Sequence, residues 1–365
     1  MNFSSKFKTY KDAGVDVESE DEALKRVVEW CNKTFNFREV LGKPAIPIAH
    51  FAGVVKISEE MGLALKTDGV GTKVFVAQLM DKYDTVGIDC VAMNVNDVLC
   101  VGAEPVSFVD YVAVQKPDVR MLEEIAVGLV EGAKKARVTI VGGEIAQLPE
   151  MVTGKREGYG FDLVGMCVGV VPLKKMVLGE NLVEGDIVLG LESSGIHSNG
   201  LTLARKVLFE KAKLKVDTYI DEFGRSLGEE LLEPTKIYVP EILDMLKAGL
   251  NIKVMAHITG KGLLNLLRVG KNFGYILENL PKPPAIFDLI QKYGSIPDEE
   301  MYRVYNMGIG FCIVLPQEEV DKAISIAEKH KVKVYILGKT VKDSERKIIL
   351  KPKKLVGVKN FFKKF

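Results

Sequence analysis

Five cysteines in 365 residues, at positions 31, 90, 100, 167 and 312, include no Cys-x-x-Cys pair. Their odd number and wide spacing exclude a disulfide framework and a structural zinc site. None has a histidine or a basic residue as an immediate neighbour, so none reads as an activated nucleophile. An excess of one charge is absent too. Fifty Lys and Arg against 49 Asp and Glu leave a formal charge of +1. No global field draws such a chain to nucleic acid or to a membrane surface. No apolar run approaches the roughly 18 residues of a membrane span, and the N-terminal stretch "MNFSSKFKTYKDAGVDVESEDEAL" has no signal-peptide core. Cytoplasmic residence is predicted, with neither nucleic acid nor membrane as partner. No repeat of 20 to 50 residues is present. What remains is 47% hydrophobic and 27% charged, as in soluble globular chains, and long enough for two cores.

The pattern predicts an α+β chain with two mixed α/β domains. Residues 1–40 read as a polar arm and a helix, with Leu24, Val27, Val28 and Cys31 at helical spacing and Trp30 as a packing residue. Residues 41–172 and 173–340 read as the domains, and 341–365 as a basic tail. That tail's last 15 residues hold six lysines and no acid, which predicts a solvated, frayed terminus. His330 reads as a surface residue.

Chemistry concentrates at a few junctions. In "LKTDGVGTKVFVAQ" (65–78), Asp68 ends an apolar run and Gly69, Gly71, Thr72 and Lys73 follow. This is not a P-loop, which needs Gly, four residues, then Gly-Lys-Ser/Thr. Its glycines would let backbone approach a phosphate, and Asp68 would tolerate one only through a divalent cation. An ordinary Asp-Gly turn fits the same residues. The helix "TVGIDCVAMNVNDVLCVGA" is apolar nearly all round, yet Asn94 and Asp97 share one face. A carboxylate there must be paired, hydrogen-bonded or on a metal. Asp89 reads as a second candidate or an N-cap. In "VTIVGGEIAQLPEM", the pattern predicts a strand that ends at the glycine pair, with Gly143 and Glu144 at its end. Asp68, Asp97 and Glu144 thus form a candidate divalent-metal set. The loop "SSGIHSNGLTLARKVL" places Ser194, Gly195, His197, Ser198 and Asn199 before a helix. That is either a phosphate site with His197 as proton donor or a helix cap. "AHITGKGLLNLL" is a weaker junction of the same kind, with His257.

Taken in order, "YKDAGVD" (10–16), "DGVGTK" (68–73), "GIDCVAMNVNDVLCVGAEPVSFVDYVA" (87–113), "GGEIAQLP" (142–149), "ESSGIHSNG" (192–200), "EPTKIYV" (233–239), "AHITGKG" (256–262) and "MYRVYNMGIG" (301–310) resemble the phosphoribosylformylglycinamidine cyclo-ligase (aminoimidazole ribonucleotide synthetase) family. The resemblance runs from about residue 10 to 338. It implies ATP-dependent ring closure of formylglycinamidine ribonucleotide in purine synthesis, with the amide oxygen phosphorylated first. It implies ATP and Mg²⁺ as cofactors, with Asp68, Asp97 and Glu144 on the metal. Gly69, Gly71, Thr72, Lys73, Asn94 and Gly143 would lie around the nucleotide. Ser194, Gly195, His197, Ser198 and Asn199 would lie on the substrate, and His197, Asp97 and Lys73 would be catalytic. It further implies a homodimer whose N-terminal sheets close a barrel beside the ATP site, followed by a ferredoxin-like domain. The chain departs from the family pattern at "PAIPIAHFAGVV", where His50 interrupts a Gly-rich loop, and at "TGKG", where Lys261 replaces a glycine. The alternatives are a formylglycinamide ribonucleotide amidotransferase-like enzyme and a non-catalytic nucleotide-binding protein.

Overall fold

The computed structural model describes residues 7–365; residues 1–6 of the predicted arm lie outside them. The first domain runs α1 (Val17–Asn32), β1 (Gly53–Lys56), β2 (Met61–Gly69), α2 (Val74–Met80), α3 (Val86–Leu99), β3 (Glu104–Val114), α4 (Val119–Ala136), β4 (Thr139–Gln147) and β5 (Phe161–Pro172). Its sheet has the order β1-β2-β5-β3-β4, with only the β3–β4 pair parallel. Helices α3 and α4 cover one face. On β5 the alternation is strict: Phe161, Leu163, Cys167 and Val171 are buried toward the helices, while Val164, Met166, Val168 and Val170 point the other way and keep some exposure.

Helix α3 is the apolar element of the domain because it is enclosed; among its residues only Ile88 retains appreciable exposure. It meets α4 through glycines. A Cβ on Gly87 would lie 2.2 Å from the Leu129 nitrogen, and one on Gly128 would lie 2.3 Å from the Asp84 carbonyl oxygen. Backbones this close leave no room for a side chain.

The second domain contains β6 (Ile187–Glu192), α5 (Leu201–Arg205, continued by a π-helical turn to Lys211), β7 (Tyr219–Ile220), β8 (Arg225–Ser226), α6 (Leu227–Leu231), α7 (Val239–Lys247), β9 (Val254–His257), β10 (Phe273–Leu277), α8 (Ala285–Gly294), α9 (Asp298–Val304), β11 (Ile309–Leu315), α10 (Val320–Lys329), β12 (Val334–Lys342), β13 (Ile348–Leu350), β14 (Leu355–Val358) and β15 (Phe361–Lys364). Eight strands form one sheet in the order β15-β14-β13-β10-β12-β6-β11-β9. Strands β12, β6, β11 and β9 are antiparallel neighbours, with helices between β6 and β9 and between β11 and β12. This is the split β-α-β arrangement of ferredoxin-like domains.

Three expectations are corrected here. The basic tail is not frayed: it supplies β13 to β15, burying Ile348, Leu350, Leu355 and Phe362 while its lysines stay on the outer positions. Alternation, not composition, decides this, because a strand needs only one apolar face. Trp30 is 69% exposed and α1 has no buried residue; Lys33 Nζ sits 3.4 Å from the centre of the indole ring. His330 is half-buried, its Nε2 2.8 Å from Asp244 Oδ2.

Candidate active site

Strand β2 turns Gly62, Ala64, Lys66 and Asp68 toward α3, because side chains two apart share a face. Asp68 Oδ1 accepts a 2.9 Å hydrogen bond from the Gly69 nitrogen. Gly71 then adopts φ +69° with nothing within 4 Å of where a Cβ would be, so its backbone borders open space. Thr72 Oγ1 lies 2.9 Å from Thr202 Oγ1 of the second domain. Asp97, one turn beyond Asn94 on α3, comes to the same place as Asp68. Lys66 lies between them, its Nζ 2.9 Å from Asp97 Oδ2 and 3.3 Å from Asp68 Oδ2. The other Asp97 oxygen is 2.9 Å from His257 Nδ1 on β9. Asn96 Nδ2 lies 3.4 Å from His257 Nε2, which therefore accepts, leaving the imidazole proton on Nδ1 to be donated to Asp97. A continuous polar chain thus crosses the domain seam: Asp68, Lys66, Asp97, His257, Asn96.

The charges tune one another. Burial raises the Asp68 carboxyl above its usual range; Lys66 opposes this and the Asp97 charge adds to it. Burial acts on Asp97 in the same direction, but the His257 hydrogen bond and the Lys66 charge overcome it and hold that carboxyl low. Burial works against the Lys66 ammonium, yet Asp97 and Asp68 together hold its pKa above the ordinary lysine value. His50, in the loop before β1, is pushed down to about 4 by burial and by the Arg268 charge, so it is neutral at pH 7.

Several predicted site residues stand elsewhere. Lys73 does not reach open space: it is fully buried, with Nζ 2.9 Å from Asp89 and 2.6 Å from the Glu233 carbonyl oxygen. Asp89 is no N-cap, since Thr85 holds that position. Its Oδ1 accepts from the Thr235 nitrogen (2.7 Å), Thr235 Oγ1 (2.6 Å) and Ser198 Oγ (3.1 Å), tying the two domains together. Glu144 does not join the other two acids. Strand β4 continues through the glycine pair to Gln147, and Glu144 pairs beside Tyr111, on the opposite face from Asp110 and Gly143. The row Asp68, Gly165, Asp110, Gly143 faces α3, so Glu144 points away from it. Among the described residues no three His, Cys, Asp or Glu side chains come together as a metal-ligand group, so the acids that meet here are the pair Asp68 and Asp97. Asn94 is a buried tie, donating to the Asp68 and Cys90 carbonyls, with its Oδ1 left unpartnered.

The loop from Ser193 to Gly200 is held from below. Ser194 Oγ donates to the Pro234 carbonyl (2.6 Å), and the Gly195 carbonyl accepts from Asn306 Nδ2 (2.8 Å). His197, at φ +60°, is enclosed. Its Nε2 accepts from the Ser194 nitrogen at 3.2 Å and lies 3.5 Å from that of Lys236. Burial, with the nearby His257, Lys73 and Lys236, drives its pKa well down. In this arrangement His197 is a buried acceptor that holds the loop against the Ser194 and Lys236 backbone. Neither Ser198 nor Asn199 caps α5; Gly200 occupies the cap position with no side-chain bond. Asn199 instead lines a cavity of about 300 Å³ with Tyr10, Thr259, Gly260, Lys261 and Arg303, and its Nδ2 is buried without a partner. The "YKDAGVD" arm reaches this cavity because the Tyr10 nitrogen donates to Glu300 on α9 (2.7 Å). Lys261 pairs with Asp21 of α1 at 2.8 Å.

Residues 50–171 match the family described as AIR synthase related protein, N-terminal domain, and residues 183–351 match its C-terminal domain. The phosphoribosylformylglycinamidine cyclo-ligase of Methanocaldococcus jannaschii is 45% identical over 338 residues, 92% of this chain and 93% of that protein. That of Thermococcus kodakarensis is 48% identical over 336 residues, 91% and 95% of the two. The chain belongs to the phosphoribosylformylglycinamidine cyclo-ligase family. Solved structures share the fold at lower identity. Thiamine-monophosphate kinase from Stenotrophomonas maltophilia aligns with a TM-score of 0.60 at 16% identity, over 84% of this chain and 91% of that one. A ThiL structure complexed with AMPPCP and TMP aligns at 0.60 and 15%, over 89% and 92%.

Sequence reasoning missed Lys66 and Asp110 in this cyclo-ligase-family chain and left His257 in a weak motif. A signal for Lys66 existed: it stands two before Asp68 on a strand, hence on the same face. Nothing in the sequence joins His257 to Asp97, 160 residues earlier.

Proposed function

We propose that the chain closes the imidazole ring of formylglycinamidine ribonucleotide with ATP, releasing ADP and phosphate in the cytoplasm. The amide oxygen attacks the γ-phosphorus and ADP leaves. The amidine nitrogen then attacks the activated carbon and loses a proton, and phosphate departs with the amide oxygen. The observation that carries this reading is the match to cyclo-ligases over more than nine tenths of the chain, with Asp68, Lys66, Asp97 and His257 meeting at one domain seam. Positioning and charge neutralisation are the tasks such a reaction sets.

In this reading the open backbone at Gly69 to Thr72 borders the triphosphate. Asp68 and Asp97 suit a divalent cation, because these two carboxylates already share one cationic head. Mg²⁺ bound there would neutralise phosphate charge and orient the transferred group. Asn199, Thr259, Gly260 and Lys261 offer donors of amide, hydroxyl, backbone and ammonium type to the ribonucleotide phosphate. Lys73, Asp89 and His197 keep the two halves of the site in register. The bare face of the first sheet carries Leu63, Leu65, Val109, Tyr111, Val164, Met166, Val168 and Val170, all incompletely buried, together with Glu144. A second copy packed there would form the homodimer and bring Glu144 to the interface.

The test is ADP release. Formylglycinamidine ribonucleotide should elicit it, and Asp68→Asn should lower turnover by at least about 100-fold, the scale for loss of a transition-state charge contact. Release with formylglycinamide ribonucleotide and ammonia, but none with formylglycinamidine ribonucleotide, would assign the chain to the amidotransferase-like alternative.

A further inference from the structure

Lys66 holds the place between Asp68 and Asp97 that a divalent cation would take. Its Nζ is within 3.3 Å of one oxygen of each carboxylate, and the remaining oxygens are engaged by the Gly69 nitrogen and by His257. A Mg²⁺ ion sits about 2.0–2.1 Å from its oxygens, so metal and ammonium cannot share that space, and their like charges forbid it. The lysine head has a way out. Its side chain retains 20% exposure and hangs on a flexible four-carbon stem from β2, on the strand that leads into the open backbone of Gly71. An ammonium leaving two carboxylates needs another anion, and a triphosphate held at Gly69 to Thr72 would be the nearest one.

We infer that Lys66 is an internal counter-ion that keeps the carboxylate pair closed to free divalent metal and moves onto the triphosphate when metal and nucleotide enter together. This rests on the magnesium–nucleotide reading above and deepens it. The lysine is a positioning residue that sets the order of binding: metal arrives with the triphosphate, not before it.

Free Mn²⁺, followed by its electron paramagnetic resonance signal, tests the competition without turnover. The wild-type chain should bind Mn²⁺ alone poorly. Lys66→Met and Lys66→Gln should each bind it at least about tenfold more tightly, equivalent to ~1.4 kcal/mol. Both should bind a magnesium complex of a non-hydrolysable ATP analogue more weakly than wild type. Circular dichroism melting checks that the variants are folded, and the glutamine variant serves where the methionine variant is not. Unchanged or weaker Mn²⁺ binding in a folded variant overturns the inference. Asp68→Asn and Asp97→Asn separate the two levels. If both keep wild-type affinity for the magnesium–analogue complex, the metal reading itself falls. If they lose it while the Lys66 variants gain no Mn²⁺, only the counter-ion role falls.

Discussion

At the scale of single residues, burial decides what an ionisable group can do. Glu241 on α7 is 2% exposed, has one carboxyl oxygen without a partner, and is pushed by burial to about 7, with Lys236 and His330 countering and Asp244 adding only modestly. The sign follows from linkage. A carboxyl whose folded pKa exceeds its unfolded value binds more protons when folded, so its contribution favours folding at low pH. That contribution falls as pH rises from about 4.5 toward 7, then stays constant. Glu241→Gln should flatten this decline and raise stability at pH 8 by about 1–3 kcal/mol, with little change at pH 4. Urea unfolding at the two pH values measures it. The same criterion separates the site residues. That Asp68 and Asp97 need partners was legible, because acids beside apolar elements are costly to bury alone. That Lys73 and His197 turn inward was not, because a loop sequence does not say which way its side chains point.

At the scale of elements, close approach explains residues that composition alone would pass over. Gly87 and Gly128 let α3 press against α4, and α3 carries Asn94, Asn96 and Asp97 on its other sides. Gly128→Ala should force the helices apart and cost about 1–3 kcal/mol, as overpacking of a tight core does. It should also weaken nucleotide binding, because α3 would shift under Asp97. Thermal unfolding and titration with a non-hydrolysable analogue read the two effects. Most strands and helices were legible from period-2 and period-3.6 patterns. The strand β4 was cut short because Gly142 and Gly143 looked like a stop; a Cβ on Gly143 would lie 2.6 Å from Asp110 Oδ1, so the glycine serves a close contact within the sheet. The lysine-rich end hid three strands because charge masked the alternating Ile, Leu and Phe positions.

At the scale of the whole molecule, buried polar contacts gather at the seam between the domains. Asp89 accepts from Lys73 on its own domain and from Ser198 and Thr235 on the other, and His257 reaches Asp97 across the same seam. The bare apolar face of the first sheet calls for a cover. If that cover is a second copy, Met166→Asp, placing a charge on a residue 37% exposed at that face, should halve the mass seen by sedimentation. It should leave the fold intact, since exposed positions of a monomer cost little. A wild-type chain that sediments as a monomer would remove the dimer.

The sequence by itself determined the family, the two mixed domains, and that Asp68 and Asp97 need partners, because these follow from local order and from the cost of burying charge. Only the tertiary structure decided which cation answers those acids, that Glu144 faces away, and that Lys73 and His197 turn into the seam. Each of those depends on which face of an element meets a partner more than 100 residues distant, and periodicity within one element carries no information about that partner.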